Sequence, residues 1–134
     1  MDWRELREER LEKVNEFLFA MGSHGRKFFC HEGVMSWLEQ DERGRIWFVD
    51  SWRGHRVYTH TKGRWRHFHH GGTMRTLVSA LKGHVMSGRL LPTRALWWPD
   101  WYCGGDLWGY GEEGMEPVRH VAITLGLVEA PCTS

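Results

Sequence analysis

The apolar residues near the N-terminus follow a helical period. Within residues 3–21, Glu, Arg and Lys occupy most positions between the apolar ones. The apolar residues at spacings of three and four are Leu11, Val14, Phe17, Leu18 and Met21. Residues at these spacings share one face of an α-helix, and Gly22 follows them as a typical C-terminal stop. The pattern therefore predicts an amphipathic first helix that packs this face against the rest of the protein.

From residue 28 to residue 70 the helical period is replaced by short runs rich in Trp, Phe, Val, Tyr and Thr. Glycine-containing segments suited to tight turns separate these runs. The turn segments are Asp41-Glu42-Arg43-Gly44, Arg53-Gly54-His55 and Lys62-Gly63. The pattern predicts a four-stranded antiparallel β-meander with strands near residues 34–40, 45–52, 56–61 and 64–69, preceded by a short extended segment at residues 28–30.

Two further helices are predicted after the meander. Thr73 follows two glycines as an N-cap residue, and an apolar stripe from Met74 to Val85 ends before Gly88. The last helix carries Val118, Val121, Ala122 and Leu125 on one face, with Pro117 in its first turn and Gly126 as its stop. We therefore expect an α+β fold in which one helix precedes the meander and two helices follow, packed on one face.

Length and composition indicate one globular domain over residues 1–128 and a flexible tail at residues 129–134. The N-terminus is charged, and no apolar run is long enough to span a bilayer, which predicts a cytoplasmic protein without membrane contact. The three cysteines, Cys30, Cys103 and Cys132, are widely spaced, which favours reduced thiols over a disulfide framework. We predict no cofactor.

Charge is segregated along the chain. Residues 43–94 hold eleven Arg or Lys and a single acid, Asp50, a balance of +10. Because the whole chain has a formal net charge of +1, the remaining residues carry −9. Nine Trp in 134 residues is several times ordinary usage, and the chain also holds nine His. Bases interleaved with aromatic rings are typical of surfaces that bind an anionic or stacking partner.

The strongest candidate binding residues are the arginines and aromatic residues of the predicted meander. They are Arg53, Arg56, Arg64, Arg66, Trp52, Trp65, Tyr58 and His60. Guanidinium groups can bind phosphates, and exposed rings can stack on unpaired bases. Because side chains alternate between the two faces of a sheet, one face must be core. The competing interpretation is that the aromatic residues are core and the arginines only a solvated face.

A tryptophan-rich loop is the densest local anomaly of the chain. Its tryptophans are Trp97, Trp98, Trp101 and Trp108, set among glycines and prolines. The loop could be an aromatic anchor inserted into a protein partner, since Trp and Tyr dominate interface hot spots. It could equally be a plug that closes the sheet against the helices.

Two other hypotheses belong to different functional classes. A metal-dependent enzyme could be built on His67 and His69 together with Cys30 or His60, although the spacing supplies no complete ligand set. A homo-oligomer could form by docking the acidic ends of one copy on the basic middle of another. Because the chain has neither a nucleophile motif nor a complete set of metal ligands, we expect no catalytic residue and no bound metal, and we expect that the protein is not an enzyme.

Five segments carry a resemblance to a known group of proteins. They are RIWFVD (45–50), RVYTH (56–60), RWR (64–66), GGTMRTLV (71–78) and LWGY (107–110). In these segments the chain resembles small uncharacterised proteins of proteobacterial mobile elements, namely genomic islands, conjugative elements and phages. The resemblance implies an accessory protein that engages nucleic acid or a nucleic-acid-handling host-defence protein, and it transfers no catalytic residue.

Overall fold

The computed structural model describes residues 2–24, 29–50, 54–59, 65, 71–97 and 111–129. The helices are α1 Trp3–Ser23, α2 Gly71–Ser87, α3 Arg94–Trp97 and α4 Gly111–Thr124. The strands are β1 Cys30–His31, β2 Val34–Met35, β3 Trp37–Gln40, β4 Ile46–Val49 and β5 Arg56–Tyr58. The fold is α+β, as expected, and no helix in these ranges is long and apolar enough to cross a bilayer.

Helix α1 confirms the prediction from the N-terminal apolar period. Asp2 is its N-cap, and its carboxylate accepts a hydrogen bond from the Glu5 backbone N–H at 2.9 Å. The buried side chains include the five that the periodicity placed on one face. This face contacts strand β3 and helices α2 and α4, so α1 lies at the centre of the packing.

Strands β3, β4 and β5 form an antiparallel three-stranded sheet in chain order. Leu38 lies opposite Phe48, and Phe48 lies opposite Val57. Together with Ile46, these side chains are almost fully buried and belong to the same hydrophobic core as the buried residues of α1, α2 and α4. The residues between them point to the opposite face of the sheet. The sheet therefore has one core face and one outer face.

The strand predicted at residues 34–40 is split in two. Val34–Met35 instead pairs with Cys30–His31 in a separate two-stranded hairpin, turned by Glu32 and Gly33 with φ of 48° and 82°. The Ser36 backbone N–H donates to the Phe29 carbonyl at 2.8 Å, which continues this pairing up to the residue before β3. The four-stranded meander thus appears as a two-stranded and a three-stranded sheet. Its fourth strand, at residues 64–69, lies outside the described residues except for Trp65.

The helical part also differs in detail from the sequence-based expectation. Helix α2 begins at Gly71, so Thr73 lies inside the helix and is not its N-cap. Pro117 lies inside α4, not in a first turn next to Val118. The short helix α3 adds a third element after the sheet and carries Trp97 at its end. The predicted tail lies outside the described residues apart from Glu129, whose carbonyl accepts from the Thr93 hydroxyl at 3.3 Å.

The C-terminal end of α2 is held against α1 by a buried histidine and an arginine. His84 is 7% exposed, and its Nδ1–H donates to the Arg89 carbonyl at 3.0 Å. Arg10 donates to the Val85 carbonyl at 3.3 Å, and its guanidinium fills the space beside Gly88, where a Cβ would lie 2.9 Å from Nη2. Gly88 has φ of 77°, a left-handed conformation that favours glycine.

We expect His84 to make the protein less stable in mild acid. Burial lowers the pKa of His84, the hydrogen bond to Arg89 opposes this, and the charges of Arg10 and Lys13 lower it further. The unfolded chain therefore takes up the proton first, and stability is lost as pH falls below about 6.5, the ordinary histidine pKa. Thermal unfolding should show a larger loss between about pH 7.5 and pH 5.5 for the wild type than for His84→Gln. Equal losses in the two proteins would contradict the assignment to His84.

Candidate nucleic-acid interface: the outer face of the sheet

Six side chains of β3, β4 and β5 point to the outer sheet face, and all of them except Val49, which is 3% exposed, are at least partly accessible. The six are Trp37, Glu39, Trp47, Val49, Arg56 and Tyr58. The register pairs Glu39 with Trp47 and Trp47 with Tyr58, so these three residues form one row across the sheet. Cross-strand neighbours are close enough for direct side-chain contact. The outer sheet face is therefore aromatic and charged, in contrast to the aliphatic and aromatic core face.

Trp47 lies at the centre of the outer sheet face. Its ring centroid is 5.0 Å from that of Tyr58, with the two planes tilted by 56°. The Cζ atoms of Arg56 and Arg45 lie 4.6 Å and 5.5 Å from the Trp47 ring. Two guanidinium groups held at cation–π distance of one indole are restricted in orientation before any ligand arrives. Trp47, Tyr58, Arg45 and Arg56 thus form a prearranged cluster of cations and rings, the Trp47 cluster.

Asp41 fixes the turn beside this cluster. Its carboxylate accepts from the backbone N–H groups of Arg43 and Arg45 at 2.9 Å each, from Arg45 Nε at 2.7 Å and from Trp47 Nε1 at 2.9 Å. These donors, first among them the Trp47 indole, hold the pKa of Asp41 far below its usual range. Asp41 therefore remains ionised at neutral pH, and its role is to orient Trp47 and Arg45.

An open depression of about 390 Å³ adjoins the Trp47 cluster. Its lining residues are Gln40, Asp41, Glu42, Arg43, Arg45 and Arg56. Three of the six are arginines, supplied by the β3–β4 turn and by β5. Guanidinium groups that converge on one concave surface are suited to phosphate or carboxylate ligands, because each presents several N–H donors.

Two acids of this region, Asp41 and Glu39, are paired locally. Arg45 contacts Asp41 and Arg56 Nε contacts Glu39 Oε1, both at 2.7 Å. No ion pair in the described part of the chain joins an acid of α1 to a base of residues 43–94. The acids of α1 therefore do not neutralise the basic segment through direct pairs there. Asp50, the only acid of residues 43–94, is 5% exposed, and its carboxylate accepts from the His55 backbone N–H at 3.1 Å. Its charge is therefore withdrawn from the surface.

Neighbouring helices extend the outer sheet face. Trp3 of α1 packs on Gly44, whose φ is 81°, and a Cβ there would lie 3.1 Å from the indole. Arg4 donates to the Glu42 carbonyl at 2.6 Å. From α2, Lys82 Nζ lies 5.7 Å from the centre of the Tyr58 ring, and burial lowers the Lys82 pKa. Bases from both helices thus lie near the turn and the sheet.

The described residues include three of the eight predicted binding residues. Arg56 and Tyr58 lie on the outer sheet face, as the alternation argument requires for a binding role. Trp65 is 3% exposed and packs on Phe48 at a centroid distance of 5.1 Å. The stacking role considered for Trp65 required an exposed ring, so the buried position corrects that expectation. The other five lie outside the described residues: Trp52, Arg53, His60, Arg64 and Arg66.

The aromatic loop is described only at Trp97. This side chain is half-buried at the end of α3, packs against the core and has the Arg119 Cζ atom 5.5 Å from its ring. Its position fits the plug interpretation for this one residue. Trp98, Trp101 and Trp108 lie outside the described residues.

The described residues do not support the metal hypothesis. Among the described residues, no group of three or more His, Cys, Asp or Glu side chains could hold a metal ion. Cys30 is a free, half-buried thiol in β1. The remaining suggested ligands, His60, His67 and His69, lie outside the described residues.

Sequence reasoning missed Trp37, Glu39, Arg45 and Trp47 as members of the site. The signal for Trp47 is present in the sequence, because Ile46 and Phe48 on either side of it are the stronger core candidates. Once these two residues are assigned to the core, alternation places Trp47 on the outer face. The contributions of Glu39 and Arg45 depend on strand register and turn geometry, which the sequence pattern does not specify.

Comparison with known proteins identifies a family for this chain. No curated protein and no solved structure shows significant similarity to the chain. The model of one family, described as YoqU, matches residues 5–133. The match includes all five strands, the outer sheet face and nearly all of α1. Because it covers almost the entire chain, the protein belongs to the YoqU family.

Proposed function

We propose that this protein is a small, non-enzymatic binding protein that engages single-stranded nucleic acid through the outer sheet face. The observation that carries the proposal is the Trp47 cluster. The indole of Trp47 on the outer sheet face holds Arg45 and Arg56, and these two line a depression together with Arg43. Aromatic rings and guanidinium planes stack on unpaired bases, and guanidinium N–H groups bind the phosphates between them.

Single strands fit this surface better than a duplex. Stacking on Trp37, which is 40% exposed, or on the Trp47 cluster requires the open face of a base, and a duplex hides its base faces. The total charge of +1 also provides little long-range attraction to duplex DNA. A flexible single strand, by contrast, can bend so that its phosphates reach the local Arg and Lys side chains. An acidic protein that handles nucleic acid is the competing partner, and the binding assay below separates the two.

The biological setting belongs to the same proposal. Its motivation is the resemblance of the five sequence segments to small proteins of mobile elements. Such an accessory protein would bind nucleic acid, or a host-defence protein that handles it, on behalf of its element. Cytoplasmic localisation would follow from that role.

The proposal predicts that the double variant Arg45→Gln/Arg56→Gln loses affinity for single-stranded oligonucleotides. Each guanidinium that neutralises one phosphate contributes about 0.7 to the slope of log K against log salt concentration, so the slope should fall by roughly 1.4. We expect an affinity loss of about tenfold at low salt. Fluorescence anisotropy of labelled single-stranded and duplex oligonucleotides, titrated at several salt concentrations, measures both quantities.

A matched control removes two cations elsewhere. Lys13 and Arg89 are exposed on α1 and after α2, so Lys13→Gln/Arg89→Gln changes the net charge equally without touching the outer sheet face. An equal loss in both double variants would assign binding to net charge alone and would contradict the proposed face. Absence of binding at low salt by the wild type would redirect the search to an acidic protein partner.

A further inference from the structure

Two acids of the site, Glu39 on the outer sheet face and Asp41 beside it, differ in how firmly they are held. Asp41 has a side chain 13% exposed and four donors on its carboxylate. Glu39 has a side chain 38% exposed and contacts Arg56 Nε at 2.7 Å and Trp37 Nε1 at 3.4 Å. Asp41 is thus a fixed part of the turn, while Glu39 is held through one short contact and one long one.

The Glu39–Arg56 pair is easily exchanged. Arg56 is 47% exposed, and surface ion pairs contribute only about 0–1 kcal/mol to stability. Glu39 contacts the Nε atom, and no other described residue accepts a hydrogen bond from this guanidinium. Arg56 also lines the depression with Arg43 and Arg45, so a phosphate that displaces Glu39 there can reach more than one guanidinium.

We infer that the Glu39 carboxylate occupies, on Arg56, the place of a phosphodiester group of the bound strand. This inference rests on the proposed function and identifies the phosphate position within it. Carboxylate and phosphate oxygens accept the same N–H donors, and a phosphate can accept from two guanidinium nitrogens at once. Trp47 holds the guanidinium over its ring at 4.6 Å, so Arg56 keeps its place when the acid partner is exchanged.

The consequence is that Glu39 competes with the ligand. Binding requires that a phosphate displace the carboxylate, so the wild-type affinity is reduced by the free energy of the internal pair. Glu39 also places a negative charge beside the row of rings and weakens the attraction of any strand. Both effects disappear when Glu39 is replaced by the neutral isostere glutamine, provided that Arg56 is present.

The test is a double-variant cycle with a labelled 12-nucleotide single strand, made as DNA and as RNA of one sequence. Glu39→Gln should bind about fivefold more tightly than the wild type, the upper range for a surface ion pair. In the Arg56→Gln background the same change should alter affinity by less than about twofold. Glu42→Gln is the matched control, because Glu42 lines the same depression and its side chain makes no described ion pair.

The outcomes separate the inference from the proposed function. Tighter binding by Glu39→Gln that depends on Arg56 and exceeds the gain from Glu42→Gln supports the phosphate position. Wild-type binding that Glu39→Gln leaves unchanged, or improves no more than Glu42→Gln does, overturns the inference alone. Absence of binding by the wild type and by Glu39→Gln overturns the proposed function and this inference together. A gain confined to DNA or to RNA identifies which strand supplies the phosphate.

Discussion

Replacing Asn15 with alanine is expected to lower the free energy of unfolding by about 2–3 kcal/mol, although alanine is the better helix former. The Asn15 Nδ2 donates to the Leu38 carbonyl at 2.9 Å, and Oδ1 accepts from the Leu38 N–H at 2.6 Å. Leu38 is 1% exposed and lies in β3, an edge strand of its sheet. The Asn15 amide thus takes the place of a neighbouring strand, and alanine leaves two backbone groups unsatisfied.

Thermal and denaturant unfolding measure this effect. A loss of about 2–3 kcal/mol corresponds to a fall of roughly 8–12 °C in the midpoint for a domain of this size. Glu16→Ala is the control. Glu16 is the exposed next residue of α1, so this variant also introduces alanine into the helix but leaves the bonds to Leu38 intact. An Asn15→Ala midpoint within about 2 °C of the Glu16→Ala midpoint would show that water replaces the amide at no cost.

Asn15 also shows what the sequence can and cannot predict about this fold. The apolar stripe of α1 is local, repeats every three to four residues, and is confirmed by the buried side chains. An asparagine within a helical pattern carries no signal for a partner 23 residues later in the chain. The hairpin of β1 and β2 departs from the expected single strand at residues 34–40, because the left-handed backbone of Glu32 and Gly33 turns Val34–Met35 onto Cys30–His31.

The sequence likewise predicts some features of the site and not others. Strand alternation is a local property, and it places Arg56, Tyr58 and Trp47 on one face as soon as the core residues are assigned. The Asp41 turn and the Glu39–Arg56 contact depend on register and on a turn that brings residues of different strands together. The burial of Trp65 decides between the two interpretations of that residue, because a strand period alone does not say which face is buried.

Removal of the Trp47 ring is expected to have the largest effect on binding. Trp47→Ala should weaken the binding of a single strand by about thirtyfold, because base stacking contributes about 1–3 kcal/mol per aromatic residue and the ring also orients Arg45 and Arg56. The variant loses the indole donor to Asp41 as well, so some loss of thermal stability should accompany the loss of affinity. Anisotropy titrations at a temperature well below the unfolding midpoint measure affinity on folded protein.

Trp47→Phe separates the ring from its N–H group. Phenylalanine keeps a stacking surface on the outer sheet face but cannot donate to Asp41. The Trp47→Phe variant should therefore lose thermal stability, as Trp47→Ala does, but retain most of the affinity. If Trp47→Phe instead loses affinity as completely as Trp47→Ala, the indole acts through the Asp41 turn and the position of Arg45, and stacking is not its contribution. If both variants bind like the wild type, the outer sheet face is not the contact surface. Binding would then have to be sought on another face of the molecule.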